Sequence, residues 1–260
     1  MPKLSYEFTR AITRAPSASI VHGLRALDIG APDLHRMLAA HQHYVTALRD
    51  AGLRVTELAE LDEYPDSVFV EDTALCLAEV AILMRPGAPS RAGEVAHMAP
   101  TLRGFYSDVL QIEGPGFIEG GDILVNGKTI LVGRSARTDS AGISELAALV
   151  SAWGYQVHEL TTPEGVLHFK TDCSLLDDKT VLSTQRLAAS GCFNDYQVIL
   201  TAPGEQAAAN AIRCNDLVLM AAGFPGTAKR LREAGFTVRE IDNRECAKLD
   251  GGMSCLSLRF

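Results

Sequence analysis

The chain has 260 residues, 47% of them hydrophobic and 22% charged, with 24 Lys and Arg against 32 Asp and Glu for a formal net charge of −8. That is the composition of a globular protein large enough to bury a sizeable core. The acidic balance disfavours nucleic acid or an anionic membrane as the main partner, and cationic small molecules suit it better.

At the N-terminus Lys3, Glu7, Arg10 and Arg14 have no apolar run between them, so no secretory signal is expected and the reading is cytoplasmic. Residues 45–55 read as the end of an amphipathic helix, a capping glycine at Gly52 and a β-branched strand, with Glu57 beyond. A second strand is predicted over 66–70. A weaker copy follows, with strands at 109–112 and 119–125. The Asn126-Gly127 turn then leads to a third strand at 129–132. The longest uncharged stretch, 146–157, falls well short of the roughly 20 residues that span a bilayer. It ends in Gly154 and another short strand, followed by Glu159. Strands are predicted at 169–176, 180–182, 198–200 and 210–219. The last clear copy, 230–238 with Gly235 and Glu240, leads to a strand at 253–258.

These segments form a repeat. The residues heading the second strands are Asp66, Glu119, His168, Asn210 and Cys255, about 50 residues apart. Five copies of a ββαβ unit are expected to close radially, because closure hides the sheet edges. The predicted fold is therefore a pseudo-five-fold α/β propeller, one domain over 1–260, with the five heading residues around a single axis.

That set of residues suits nucleophilic catalysis. The six cysteines show no CxxC pair and no zinc-finger spacing, so most are expected to be small buried residues. Cys255 differs, because Gly251 and Gly252 allow a tight approach just before it. His168 is the one histidine of seven at a repeat position and is the natural acid/base partner of the thiol. Asp66, Glu71, Asp72, Glu119 and Asp122 crowd the same axis, where like charges are costly unless a cation fills the space. On an extended strand Asp66 and Asp72 would share one face. Glu71 would then need a bulge or a backbone role. Arg91 and Arg137 lie in turn-like loops, and their guanidinium forks suit a substrate carboxylate. The ligand so described has a carboxylate at one end and a planar cationic carbon at the other, as arginine or an N-substituted arginine does.

The strings DSVFVED (66–72), RPGAPSR (85–91), EGGD (119–122), SART (135–138), LHFKT (167–171) and DGGMSC (250–255) resemble the dimethylarginine dimethylaminohydrolases, in the guanidine-modifying superfamily of five-bladed propellers. The likeness runs from Thr13 to the C-terminus, and the length fits these hydrolases better than the longer arginine deiminases. Leu249 stands at a variable aliphatic position. The resemblance implies Cys255 as nucleophile, His168 as proton donor and Glu119 as its support. It further implies Asp66, Glu71 and Asp72 on the guanidinium and amino ends, Arg91 and Arg137 on the α-carboxylate, and backbone contacts from Leu24 and Leu249. No cofactor or metal is required, and zinc captured by Cys255 would inhibit. The surrounding acids are expected to keep the thiol protonated until a guanidinium binds. The alternatives are a deiminase releasing ammonia with the same residues, or a non-catalytic propeller binding protein. Either a monomer or a homodimer is expected, without nucleic-acid or membrane partners.

Overall fold

In the computed structural model, which describes residues 4–260 and so leaves Lys3 outside the described residues, strand β1 (Arg10–Arg14) leads to helix α1 (Leu34–Asp50). The chain then returns parallel to β1 as β2 (Arg54–Leu58). The Asp33 side chain accepts the Arg36 N–H at 3.0 Å and so starts α1. Gly52 ends it in the left-handed region, at φ +92°.

The same path recurs with its hairpin in front. In the second unit β3 (Ala74–Cys76) and β4 (Ala81–Leu83) pair antiparallel, and α2 (Glu94–Arg103) carries the chain to β5 (Val109–Gln111), parallel to β4. The third unit is β6 (Ile123–Asn126), β7 (Thr129–Arg134), α3 (Ser140–Val150) and β8 (Gln156–Thr161). The fourth is β9 (Cys173–Asp177), β10 (Thr180–Ser183), the short α4 (Gln185–Ala188) and β11 (Gln197–Leu200). The fifth is β12 (Ile212–Cys214), β13 (Leu217–Ala221), α5 (Pro225–Glu233) and β14 (Thr237–Ile241). After α6 (Arg244–Ala247), β15 (Leu258–Arg259) pairs antiparallel with β1, so the C-terminal strand completes the first blade. The result is five three-stranded sheets in a pseudo-five-fold, propeller-like arrangement.

The apolar core shows that the ring closes. It divides into clusters that each join two neighbouring blades. Ile12 and Leu258 pack with Leu83, Val95 and Met98 between blades one and two. Ile82 and Met84 meet Ile130, Val132 and Leu146 between two and three. Leu124 and Leu131 meet Phe169 and Val181 between three and four. Leu176 and Leu182 meet Val218 and Leu231 between four and five. Ile212 and Leu219 meet Tyr44 and Leu48 between five and one. Each large side chain buried this way contributes about 1.5–3 kcal/mol of transfer free energy.

The repeat, the capping glycines and the hairpins of the third and fourth units are where the sequence put them, whereas the segment expected as one strand over 210–219 turns at Asn215 into β12 and β13. The heads of the inner strands are not where it put them. Asp66 lies in a turn, and 3-10 turns occupy Val70–Thr73, Gly120–Asp122, Phe169–Thr171, Gln206–Ala209 and Ser254–Leu256. Glu119 and His168 immediately precede their turns, Asn210 immediately follows one, and Cys255 sits inside one. The five heading residues therefore share a region rather than a register. The alternation that put Asp66 and Asp72 on one strand face does not apply, because neither residue is in a strand. The turns are tight because adjacent blades nearly touch at the axis. A Cβ on Gly120 would lie 2.0 Å from the Glu71 carbonyl oxygen.

Candidate active site

At the inner ends of the blades a cavity of about 210 Å³ is lined by residues that include Leu24, Asp66, Phe69, Asp72, Arg91, Arg137, His168, Leu249 and Cys255. A larger open hollow of about 490 Å³ lies near Tyr6 and Asn215. Asn215 is at the turn joining β12 to β13, the far end of that blade, and the hollow is lined by neither a thiol nor an imidazole.

Cys255 is partly exposed in the main cavity, and its Sγ accepts a long contact from Gly252 N–H at 3.4 Å. Burial, then the negative charges of Glu71 and Asp72, push its thiol up to about 12. His168 is buried, with Nε2 2.6 Å from Glu119 Oε2. Burial alone would lower its pKa. The charge of Asp72, the Glu119 hydrogen bond and the charge of Asp122 outweigh burial and raise it to about 9. The imidazole is therefore protonated at neutral pH and the thiol is not ionised.

Glu119 is fully buried, and its Oε1 accepts Gly87 N–H at 2.9 Å and meets Arg137 Nη1 at 3.4 Å. Asp72 accepts from Gly121 N–H at 2.9 Å and from Arg91 Nη1 at 2.6 Å. Burial opposes its ionisation, but the charges of His168 and Arg91 bring it down to about 2. Asp66 accepts the Leu24 N–H at 3.0 Å, and burial raises its pKa despite Arg91.

Two sequence expectations need adjustment. Glu71 does not line the cavity. Its carboxylate lies behind Cys255, held by Lys170 Nζ at 2.5 Å, Ser254 Oγ at 2.7 Å and Arg259 Nη2 at 3.2 Å. The 3-10 turn at 70–73 aims it there. Arg91 lines the cavity, but most of its donors are engaged. Nε and Nη2 bond Glu94, Nη2 also donates to the Phe69 carbonyl at 2.8 Å, and Nη1 meets Asp72. Arg137, Leu24 and Leu249 line the cavity. Asn210 lies off the cavity wall, where its Oδ1 accepts Ser254 N–H at 2.9 Å and steadies the turn before Cys255.

Sequence reasoning assigned no role to Phe69, Glu94 or Lys170. Glu94 had a local signal, three residues after Arg91 at a helix start. Asp122, expected among the acids that surround a cation, does not line the cavity, and its carboxylate instead accepts from Ser135 Oγ and Thr138 Oγ1, each at 2.7 Å, and from Phe169 N–H at 2.8 Å. Among the described residues, one group could offer a metal three donors. Asp72, Glu119 and His168 have ligand atoms within 4.8 Å of one another, and Cys255 is not among them. These atoms already bond each other, Arg91 and backbone N–H groups, a pattern that neutralises the carboxylates without an ion.

Comparison with known proteins extends this geometry. The family model described as arginine deiminase matches residues 60–212. An N(G),N(G)-dimethylarginine dimethylaminohydrolase from Pseudomonas aeruginosa is 38% identical over 254 residues, 97% of this chain and 100% of the relative. Its counterpart from Streptomyces coelicolor is 34% identical over 96% of each chain. A crystal structure of the Pseudomonas aeruginosa enzyme, as a cysteine-to-serine mutant complexed with citrulline, matches with TM-score 0.95 and 37% identity over 98% of this chain and 100% of that one.

Proposed function

This chain belongs to the arginine deiminase family, within its dimethylarginine dimethylaminohydrolase branch, and from that premise we propose that it hydrolyses Nω-methylated arginines to L-citrulline and the corresponding methylamine. The observation that carries this reading is one cavity holding a thiol, a protonated imidazole fixed by a buried carboxylate, two further carboxylates and Arg137.

The substrate guanidinium enters between Asp66 and Asp72, and its positive charge lowers the thiol pKa, so Cys255 loses its proton to solvent. The thiolate attacks the guanidinium carbon to form a C–S bond and a tetrahedral adduct. His168 gives its proton to the methylated nitrogen, the C–N bond breaks, and dimethylamine leaves an S-alkylthiouronium on Cys255. Neutral His168 then takes a proton from water, which adds to the same carbon. Collapse of that second adduct breaks the C–S bond and releases citrulline. Glu119 keeps the imidazole oriented and favours its charged form. Arg137, with the remaining Arg91 donor, holds the α-carboxylate. Asp66 occupies the Leu24 N–H, so a contact from Leu24 to the α-amino group falls to its carbonyl, alongside that of Leu249. Glu71 acts from behind the thiol.

The five blades act as one catalytic domain. The six free cysteines support a cytoplasmic setting. Among the described residues no helix is long and apolar enough to cross a membrane. The protein works as a monomer or a homodimer. No metal or cofactor takes part, and zinc held by Cys255 and His168 would inhibit by occupying both.

Citrulline release from asymmetric dimethylarginine, monomethylarginine and arginine, assayed in parallel, tests the reading. Activity confined to unmethylated arginine would make the protein a deiminase. Arg137→Ala is expected to raise KM for dimethylarginine by about tenfold or more while kcat changes less, because the carboxylate contact is alike in ground and transition states. Thiol alkylation tests the ionisation step. Without ligand the rate should climb with pH well beyond 9, following a thiol near 12. A small amidinium reagent should react at neutral pH far faster than a neutral haloacetamide. Equal pH profiles for the two reagents would remove substrate-assisted ionisation from the mechanism.

A further inference from the structure

Lys170 lies two residues after His168, and Ser254 lies one residue before Cys255. The carboxylate of Glu71 holds both, with Lys170 Nζ 2.5 Å from Oε1 and Ser254 Oγ 2.7 Å from Oε2. Arg259 completes the group, its Nη2 3.2 Å from Glu71 and its Nη1 donating to the Ser254 carbonyl at 3.1 Å.

The three turns so joined come from blades four, two and one. Blades four and two are not neighbours, and neither are four and one. Packing in the ring runs between neighbours, so the spacing of His168 and Cys255 otherwise passes round the ring, through blade five, where Asn210 grips Ser254, or through blades three and two, where Glu119 holds His168 and Asp72 accepts the Gly121 N–H. The Lys170–Glu71–Ser254 bridge instead crosses the axis directly. The Lys170 side chain is only 12% exposed and that of Glu71 5%, so this pair is not a solvent-screened surface contact.

We propose that Lys170 is a positioning residue, which by gripping Glu71 across the axis fixes the histidine-bearing turn against the cysteine-bearing turn. The inference rests on the roles given above to Cys255 and His168. Sulfur and imidazole must address one substrate carbon, and a misplacement of about 1 Å costs roughly 100-fold in rate. Lys170 does not line the cavity, so its loss should register in turnover rather than in substrate affinity.

With dimethylarginine as substrate, Lys170→Met is expected to lower kcat by about 10- to 100-fold with KM within about threefold of wild type. Lys170→Arg, which can still reach a carboxylate, should recover most of the loss. A Lys170→Met enzyme with kcat within about twofold of wild type overturns the proposal, as do equal losses in the Met and Arg variants. Should Lys170→Met fail to fold, Ser254→Ala tests the other end of the bridge. A fall in kcat at constant KM supports the bridge, and an unchanged kcat overturns it. A wild-type protein inactive on every methylated arginine defeats the functional reading and this proposal with it. An active wild type beside a fully active Lys170→Met variant defeats the bridge alone.

Discussion

Cys255→Ser should reduce citrulline formation from dimethylarginine by roughly 10⁴-fold or more, the scale seen when an enzyme's nucleophile is removed. A serine hydroxyl is a far weaker nucleophile than a thiolate, and the guanidinium that assists the thiol cannot bring a hydroxyl into a useful pKa range. The substitution should leave the fold intact. The thiol contributes one long contact from Gly252 N–H at 3.4 Å and keeps part of its surface open. The expected pattern is therefore an unchanged melting temperature, retained binding of citrulline and lost turnover. Residual activity within a hundredfold of wild type would mean that another group attacks the carbon.

His168→Gln should lower kcat by about 10²- to 10⁴-fold, the usual range for a lost general acid. A sharper result is available from the wild type. His168 has a folded-state pKa near 9, raised from the ordinary 6.5, so as proton donor it should be charged below about 9. The kcat/KM profile, which reports groups of the free enzyme, should have an alkaline limb near that value. Glu119→Gln should move the limb towards neutrality. The same shift has a stability consequence. A raised histidine pKa stabilises the folded state fully below 6.5, and that contribution fades as pH climbs through 9. Asp72 acts in the opposite direction. Its pKa near 2 adds stability above the ordinary 3.8 that is lost as pH falls towards 2. Stability should therefore be greatest between these windows, which a series of thermal melts against pH would show.

The sequence carried the architecture because the features that set it are local. Gly52, Gly154 and Gly235 all have positive φ, at +92°, +74° and +93°, and each marks the same helix-to-strand joint. Five recurrences were enough to imply a ring. The cavity wall was legible for a related reason, since the residues at the inner ends of the blades must meet if the ring closes. What stayed hidden was the direction of individual side chains. A run such as 66–72 reads as a strand by composition, yet its end is a 3-10 turn whose Glu71 carbonyl lies so close to Gly120 that a Cβ there would be 2.0 Å away. That contact joins residues from different blades and leaves no periodic trace. Likewise no spacing rule reveals that Lys170 reaches Glu71, or that Arg91 gives Nη1 to Asp72.

The pairing of β15 with β1 joins Ala11 to Arg259 and Ile12 to Leu258, strand partners from opposite ends of the chain. Contacts of such sequence separation form late, since the entropy of closing so long a loop must be met before the pairing returns anything. Cys255 lies in the segment that makes this last connection. A folding intermediate with four blades assembled would already hold His168 against Glu119 but would have no thiol facing them. Activity should consequently appear during refolding only with the slowest phase, well after most of the helical signal has returned.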